Sequence, residues 1–321
     1  MTGLMRAINQ EAAGGPEALK LVEVERPETA PVEILVRVHA AGVNPADWKT
    51  RARGAMLDGT TVDGAAPFIL GWDVSGVVEA VGPGVTLFRP GDEVFGMPRF
   101  PHPAGAYAEY VAAPPRHFTR KPAGIDHVTA AALPLAALTA WQALVDTADV
   151  QSGQRVLIHA AAGGVGHLAV QIAKSRGAYV VGTSRQAKHD FVRSLGADEV
   201  VDYTRADFAE ALGDLDVVLD TIGGDYGLRS LRTLRRGGTL VSIVPPLEEN
   251  LLKDAAERGV RAGFMLVEPD HAGMNAIAAL VESGDLRVAI DTVVPLDQVG
   301  KAHERGESGR TQGKIVLRVV E

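Results

Sequence analysis

Apolar and polar residues alternate in short segments through the first part of the chain, at 18–24, 33–40, 73–81, 93–96 and 106–112. A period of two marks half-buried strands. The turn sequences Gly82-Pro83-Gly84 and Arg89-Pro90-Gly91-Asp92 separate them, and 98–105 reads as a surface loop. The stretch therefore predicts a compact, barrel-like β domain. After Lys121-Pro122 the texture changes. An Ala-rich helix is predicted over 127–146, and then strand segments (155–159, 179–182, 217–220, 239–243) alternate with helical ones (164–176, 187–195, 226–234). Strands alternating with helices of this length imply βαβ units, a parallel sheet and helices on both its faces. A helix over 272–283 and β-rich segments at 291–294 and 314–319 close the chain. The expected fold is α/β: a β-barrel domain over 1–121, a doubly wound Rossmann domain over 122–262, and a return segment, 263–321, completing the sheet edge and rejoining the first domain.

The most informative local pattern lies around Gly163. Val156-Leu157-Ile158 reads as a buried strand, and Val165, Leu168 or Ala169, and Ile172 recur at the spacing of one helix face. Between them lies Ala160-Ala161-Ala162-Gly163-Gly164-Val165-Gly166. A strand, a glycine turn and a helix present free backbone N–H groups and the positive end of the helix dipole to a pyrophosphate. Ala161 replaces the first glycine of G-x-G-x-x-G, so the surroundings carry the reading. Ala162, Gly163, Gly164, Val165 and Gly166 are the expected phosphate contacts of a nicotinamide dinucleotide.

About 20 residues beyond the glycines, an NAD-selective domain places an acid for the ribose hydroxyls. This chain has Gly182-Thr183-Ser184-Arg185. Ser184 leaves space and Arg185 can pair bidentately with a 2′-phosphate, with Lys188 one helical turn later and Tyr203 after the next strand segment. NADPH is the expected cofactor. Ligands of such sheets bind at the carboxyl ends of strands, which adds Gly223, Val244, Phe264 and Met265 on the nicotinamide side.

A chain of 321 residues can bury two cores sharing one cleft. The net charge of −8, with scattered Lys and Arg, argues against nucleic acid as a partner. Cysteine is absent, which removes disulfides, thiolate nucleophiles and every zinc site built on Cys. His102, His117, His127, His159 and His167 show no metal-ligand spacing, so no metal is expected. The opening residues lack a charged region followed by an apolar stretch, and no run of 18 apolar residues occurs; a cytoplasmic protein without a membrane partner is the expectation.

These pieces resemble, over nearly the whole length, the zinc-independent quinone oxidoreductases (zeta-crystallin-like) of the medium-chain dehydrogenase/reductase superfamily. The resemblance rests on Gly42-Val43-Asn44-Pro45-Ala46-Asp47, Gly71-Trp72-Asp73-Val74-Ser75-Gly76, Gly91-Asp92-Glu93-Val94-Phe95-Gly96, Gly105-Ala106-Tyr107-Ala108-Glu109-Tyr110, the phosphate loop, and Gly313-Lys314-Ile315-Val316-Leu317. It implies a GroES-like catalytic domain built from both chain ends, a Rossmann domain between them, and a homodimer. It also implies cofactor contacts from Thr139, at the start of a helix near the nicotinamide, and from Arg310, Gly313 and Lys314. Zinc alcohol dehydrogenases share this scaffold but have a Cys near position 44 and a His-Glu pair at positions 72 and 73. Here those two positions hold Trp72 and Asp73.

Without a Lewis acid the natural substrates are small molecules that accept a hydride directly, quinones or α,β-unsaturated carbonyl compounds. The resemblance carries Asn44 and Lys49 to the cleft wall as catalytic candidates. The run Asn-Pro-x-Asp-x-Lys is similar to that of reductases of α,β-unsaturated ketones and aldehydes, in which the lysine donates to the substrate oxygen. Other readings stay open at this point: a solvated surface lysine at Lys49, a turn residue at Asn44 holding Asp47 or backbone groups, an enoyl-thioester reductase, or an NADPH-binding sensor or structural protein without catalysis.

Overall fold

A computed structural model describes residues 3–56, 59–61 and 67–320. Met1 and Glu321, the outer limits of the expected first and last domains, lie outside them. The chain divides into two compact units: residues 1–138, 268–283 and 288–321 form the first, and 139–267 with 284–287 the second.

In the first unit the strands are β1 (Leu4–Gln10), β2 (Leu19–Glu25), β3 (Ile34–Val43), β4 (Asp73–Val81), β5 (Glu93–Gly96), β6 (Tyr110–Ala113) and β7 (Phe118–Arg120), with helix α1 (Pro45–Arg53) between β3 and β4. Helices α2 (His127–Ala131) and α3 (Pro134–Trp141) follow, the second running past Leu138 into the other unit. The predicted 127–146 helix is thus broken. Pro134 has no N–H to continue the α2 ladder, so a new helix starts there, and 142–147 winds into a π-helical turn.

The second unit holds β8 (Arg155–Ile158), α4 (Gly166–Ser175), β9 (Tyr179–Ser184), α5 (His189–Ser194), β10 (Glu199–Asp202), α6 (Phe208–Ala211), β11 (Leu215–Asp220), α7 (Asp225–Ser230), β12 (Leu234–Ser242), α8 (Leu251–Arg258) and β13 (Arg261–Phe264). The chain then returns to the first unit through α9 (His271–Ser283), β14 (Ile290–Pro295), α10 (Val299–Glu307) and β15 (Lys314–Arg318).

The main sheet of the first unit runs β14-β15-β3-β4-β5-β7, with β6 also on β3. Strand β3 is its centre because ILVRVHAAGV is apolar on both faces at most positions, and it pairs antiparallel with β4, β6 and β15. Ala131 and Ala132 pack with Ala40 and Val316, so α2 belongs with this sheet. For that reason the unit boundary falls after Leu138 and not at Lys121-Pro122.

The second sheet has the order β10-β9-β8-β11-β12-β13, and every neighbouring pair is parallel. Counted from β8 this is the 3-2-1-4-5-6 order of the doubly wound nucleotide-binding folds. Its core includes Leu157, Val181, Phe208, Val218 and Leu240.

Candidate active site

The sequence builds the phosphate loop by closing it on itself. Ala160 has φ +46, Gly163 N donates to Ala160 O at 2.8 Å, and a Cβ on Gly166 would stand 2.3 Å from that same oxygen. Only glycine fits at 166, and α4 starts there with its first eight residues buried. The loop is anchored from below. Ala160 N donates to Thr183 Oγ1 and Ala161 N to Thr183 O, while the buried His159 ring lies 3.2 Å from Thr183 Oγ1 and 2.9 Å from Ser230 Oγ. Burial, with help from Arg229, pushes the His159 pKa down to about 3, so the ring is neutral.

The residues predicted to read the adenosine phosphate are brought together at the ends of β9 and β10. Ser184 is buried and its hydroxyl turns to the Arg185 carbonyl. Arg185 is exposed, and its Nε donates to the Tyr203 hydroxyl at 3.0 Å. Lys188 is half-buried in the same turn. At the ends of β11 and β12, Asp220 Oδ1 accepts from Ile222 N and Gly223 N, and its Oδ2 accepts from Ser242 Oγ. These bonds seat Gly223 against Val244, where a Cβ would meet the valine at 2.8 Å. Phe264 is partly exposed at the end of β13, and Met265 N bonds Ser242 O.

The first unit carries a buried charged cluster. Asn44 precedes Pro45, the first residue of α1, and Asp47 Oδ2 accepts from Asn44 N at 2.6 Å, the spacing of a helix-capping pair. Asn44 Nδ2 donates to Asp73 Oδ2 at 2.8 Å, and Lys314 Nζ donates to Asn44 Oδ1. Lys314 Nζ is 3.6 Å from Asp73 Oδ2 and 3.2 Å from Val43 O, and Leu135 N donates to Asp73 Oδ1. Burial raises Asp73 and lowers Lys314, and each charge opposes the shift of the other.

A second string runs beside it. Arg51 bonds Glu307 at 2.6 Å, and its Nη1 lies 3.1 Å from His303 Nδ1. A guanidinium only donates, so Nδ1 accepts and the neutral ring carries its hydrogen on Nε2, 3.4 Å from the Tyr107 hydroxyl. Burial and Arg51 push His303 down to about 3. The Tyr107 hydroxyl lies against the Asp47 carboxyl and favours its charged form, but burial dominates and pushes Asp47 up to about 7. Asp47 Oδ1 makes no hydrogen bond of full geometry among the described residues.

Several expectations change. Lys314, expected at the cofactor, has a side chain only 3% exposed whose ammonium meets Asn44 Oδ1 and Asp73, since a buried cation needs a counter-charge. Gly313 serves packing: a Cβ there would stand 2.1 Å from Ala289 O. Thr139 sits inside α3 and not at a helix start. Arg310 is exposed in the turn after α10, with its N–H on Ser308 Oγ. Asn44 is buried with both ends of its amide engaged, whereas Lys49 is exposed on α1 and makes no hydrogen bond or ion pair among the described residues. Asn44 does hold Asp47 at the helix start, as its alternative reading expected, whereas Arg51, Tyr107, His303 and His159 were not predicted. Among the described residues no group of three or more His, Asp or Glu is placed to hold a metal, and no helix is long and apolar enough to cross a membrane.

Comparison with known proteins agrees with this architecture. The alcohol dehydrogenase GroES-like domain family matches residues 30–123 and the zinc-binding dehydrogenase family residues 195–317. The zebrafish (Danio rerio) protein named NAD(P)H oxidoreductase RTN4IP1, mitochondrial, is 33% identical, the match covering 91% of this chain and 84% of that one. The tomato (Solanum lycopersicum) 2-methylene-furan-3-one reductase is 32% identical over 98% of this chain and 79% of its own. The solved quinone oxidoreductase of Coxiella burnetii superposes with a TM-score of 0.92 at 37% identity, covering 99% of this chain and all of that one. The chain is an oxidoreductase of the nicotinamide-dependent kind. It belongs to the medium-chain dehydrogenase/reductase superfamily, and its quinone oxidoreductase relatives are consistent with the zeta-crystallin-like branch.

Proposed function

We propose that this protein uses NADPH to pass a hydride to quinones or α,β-unsaturated carbonyl compounds without a metal ion. The observation that carries the reading is the end of β9, where an exposed Arg185 held by Tyr203 stands at the position an NAD-selective domain gives to an acid. The glycine loop fits the rest of the dinucleotide, since Gly166 leaves no side chain between the loop and the start of α4. When bound, the cofactor supplies the hydride. The names of the tomato and Coxiella relatives support enones and quinones as acceptors. The absence of Cys, with Trp72 Nε1 given to His102 O, supports chemistry without zinc.

Hydride addition to the β-carbon of an enone, or to a quinone, moves an electron pair onto a carbonyl oxygen. The Lys49 ammonium is the group we assign to that oxygen, as hydrogen-bond donor and then proton donor. Asn44, held by Asp73 and Lys314, fixes the start of the helix that carries Lys49 and acts as a positioning residue.

The test is NADPH consumption with a panel of quinones, enones and enoyl thioesters. Turnover of quinones or enones supports the proposal; no turnover above background refutes it, and preference for thioesters replaces it with enoyl-thioester reduction. Arg185→Asp is expected to weaken NADPH binding far more than NADH binding, and equal losses would show that Arg185 does not read the phosphate.

A further inference from the structure

Two loops leave the second sheet side by side at the rim where Arg185 stands. β9 and β10 are parallel neighbours with Ser184 opposite Asp202, so the segments that follow, beginning at Arg185 and Tyr203, emerge at the same level. Arg185 Nε and the Tyr203 hydroxyl join them on the outside. Asp202 joins them on the inside. Its Oδ2 accepts from Gln186 N in the first loop at 3.3 Å. Its Oδ1 accepts from Thr204 N at 3.0 Å and Thr204 Oγ1 at 2.7 Å in the second. Arg205 Nε lies 3.8 Å from Oδ2, with most of its side chain in solvent. Arg205 N and Ala206 N both bond Asp202 O, which winds the second loop into a tight turn.

An acid at this rim is a puzzle if the ligand is a phosphate, because a free carboxylate would repel it. Asp202 is not free. Three donors hold its two oxygens, and those bonds keep its pKa below the usual carboxylate range, the Thr204 hydroxyl contributing most. Asp202 keeps its charge, but its lone pairs are turned into the two loops and the Arg205 guanidinium beside it offsets part of that charge. It also fixes the backbone on which Arg185 and Arg205 are mounted. A phosphate monoester offers three oxygens and close to two negative charges, enough for two guanidinium groups at once.

We propose that Asp202 is the positioning residue of the phosphate-selective rim, and that by tying Gln186 to Thr204 it sets Arg185 and Arg205 to clamp the 2′-phosphate from two loops. This rests on the NADPH reading above and adds Arg205 and Asp202 to it. The clamp acts on affinity for the phosphorylated cofactor alone, since neither loop is required by the pyrophosphate seat at residues 163–166.

The experiment is equilibrium binding of NADPH and NADH, by calorimetry on the purified full chain, for the wild type, Asp202→Ala, Asp202→Asn and Arg205→Ala, each with its thermal midpoint recorded. Asp202→Ala is expected to weaken NADPH about tenfold, the size of one or two lost charge-assisted bonds, and to leave NADH within about twofold. Arg205→Ala should shift the same ratio in the same direction. Asp202→Asn keeps one acceptor oxygen and should fall between; it decides the matter if the alanine variant does not fold. Unchanged NADPH binding in Asp202→Ala would show that the carboxylate positions nothing, tighter binding that it opposes the phosphate, and equal losses for both cofactors that it is merely structural; each result overturns the proposal. A wild type with no preference for NADPH overturns the cofactor reading itself, whereas a preference that survives all three variants overturns only the clamp.

Discussion

Lys314→Met is the sharpest probe of the buried cluster. Methionine fills nearly the same volume but removes the charge. Three groups lose their donor at once: Asp73, which is fully buried, Asn44 Oδ1 and Val43 O. Removing one partner of a buried ion pair typically costs about 3–5 kcal/mol, because the remaining charge stays desolvated. That is a large share of a typical domain stability of about 5–15 kcal/mol. The loss depends on pH. Burial already raises the Asp73 pKa against the opposition of Lys314, and without the lysine it rises further. A carboxyl whose folded pKa lies above its unfolded value contributes stability at low pH and loses it as pH rises through the folded value. The variant should therefore be nearer to wild type at pH 5 than at pH 8.

Adding Asp73→Asn should restore most of the loss. The introduced amide keeps an oxygen for Leu135 N, and once the Asn44 amide turns over, its N–H meets Asn44 Oδ1 in place of the Nδ2 that faced the carboxylate. Urea denaturation followed by the fluorescence of Trp48 and Trp72, both in the first unit, reads the change across pH. A single-variant loss below about 1 kcal/mol, or a double variant no better than the single, would refute the argument that an unpaired buried charge dominates.

Other outcomes follow from the same geometry. His159 and His303 are neutral in the fold with pKa values near 3 against 6.5 unfolded, so the stability they contribute is present above pH 6.5 and lost as pH falls. Each should cost about 2 kcal/mol between pH 7 and 5, and a flat urea midpoint over that range would contradict it. Gly166→Ala drives a methyl into Ala160 O and should lower stability by about 1–3 kcal/mol while weakening both NADPH and NADH; unchanged binding of both in calorimetry would show that the loop tolerates the shift. Lys49→Met should lower kcat about a hundredfold with cofactor affinity unaltered, and a kcat near wild type would return Lys49 to an ordinary surface role.

The second unit was readable because its signals are local. Strand, loop and helix around Gly163 follow one another within a short window, and the apolar runs of β8, β9 and β11 mark a buried parallel sheet. The helices of the first unit were harder. α1 buries Asp47, Thr50 and Arg51 and no apolar stripe, so periodicity could not reveal it; only the Asn-Pro-x-Asp start could. α10 is short and turns only Val299, Ala302, His303 and Gly306 inward, an apolar face of small residues interrupted by a histidine. The contact of Lys314 with Asn44 was out of reach of the sequence for a simple cause: the two are 270 residues apart, and nothing at either position announces the other. Only the pairing of β15 with β3 across the sheet brings the two together.

The string from Arg51 through His303 to Tyr107 has one further consequence. Because the guanidinium fixes which imidazole nitrogen accepts, every hydrogen in the string points the same way, toward Asp47. None can reverse alone. If Asp47, whose pKa burial raises to about 7, takes up a proton, its carbonyl oxygen can still accept from Tyr107, so the string keeps its direction while the charge at its end is lost. The nitrogen resonances of the buried His303 ring should then shift as a carboxylate it never touches changes its charge.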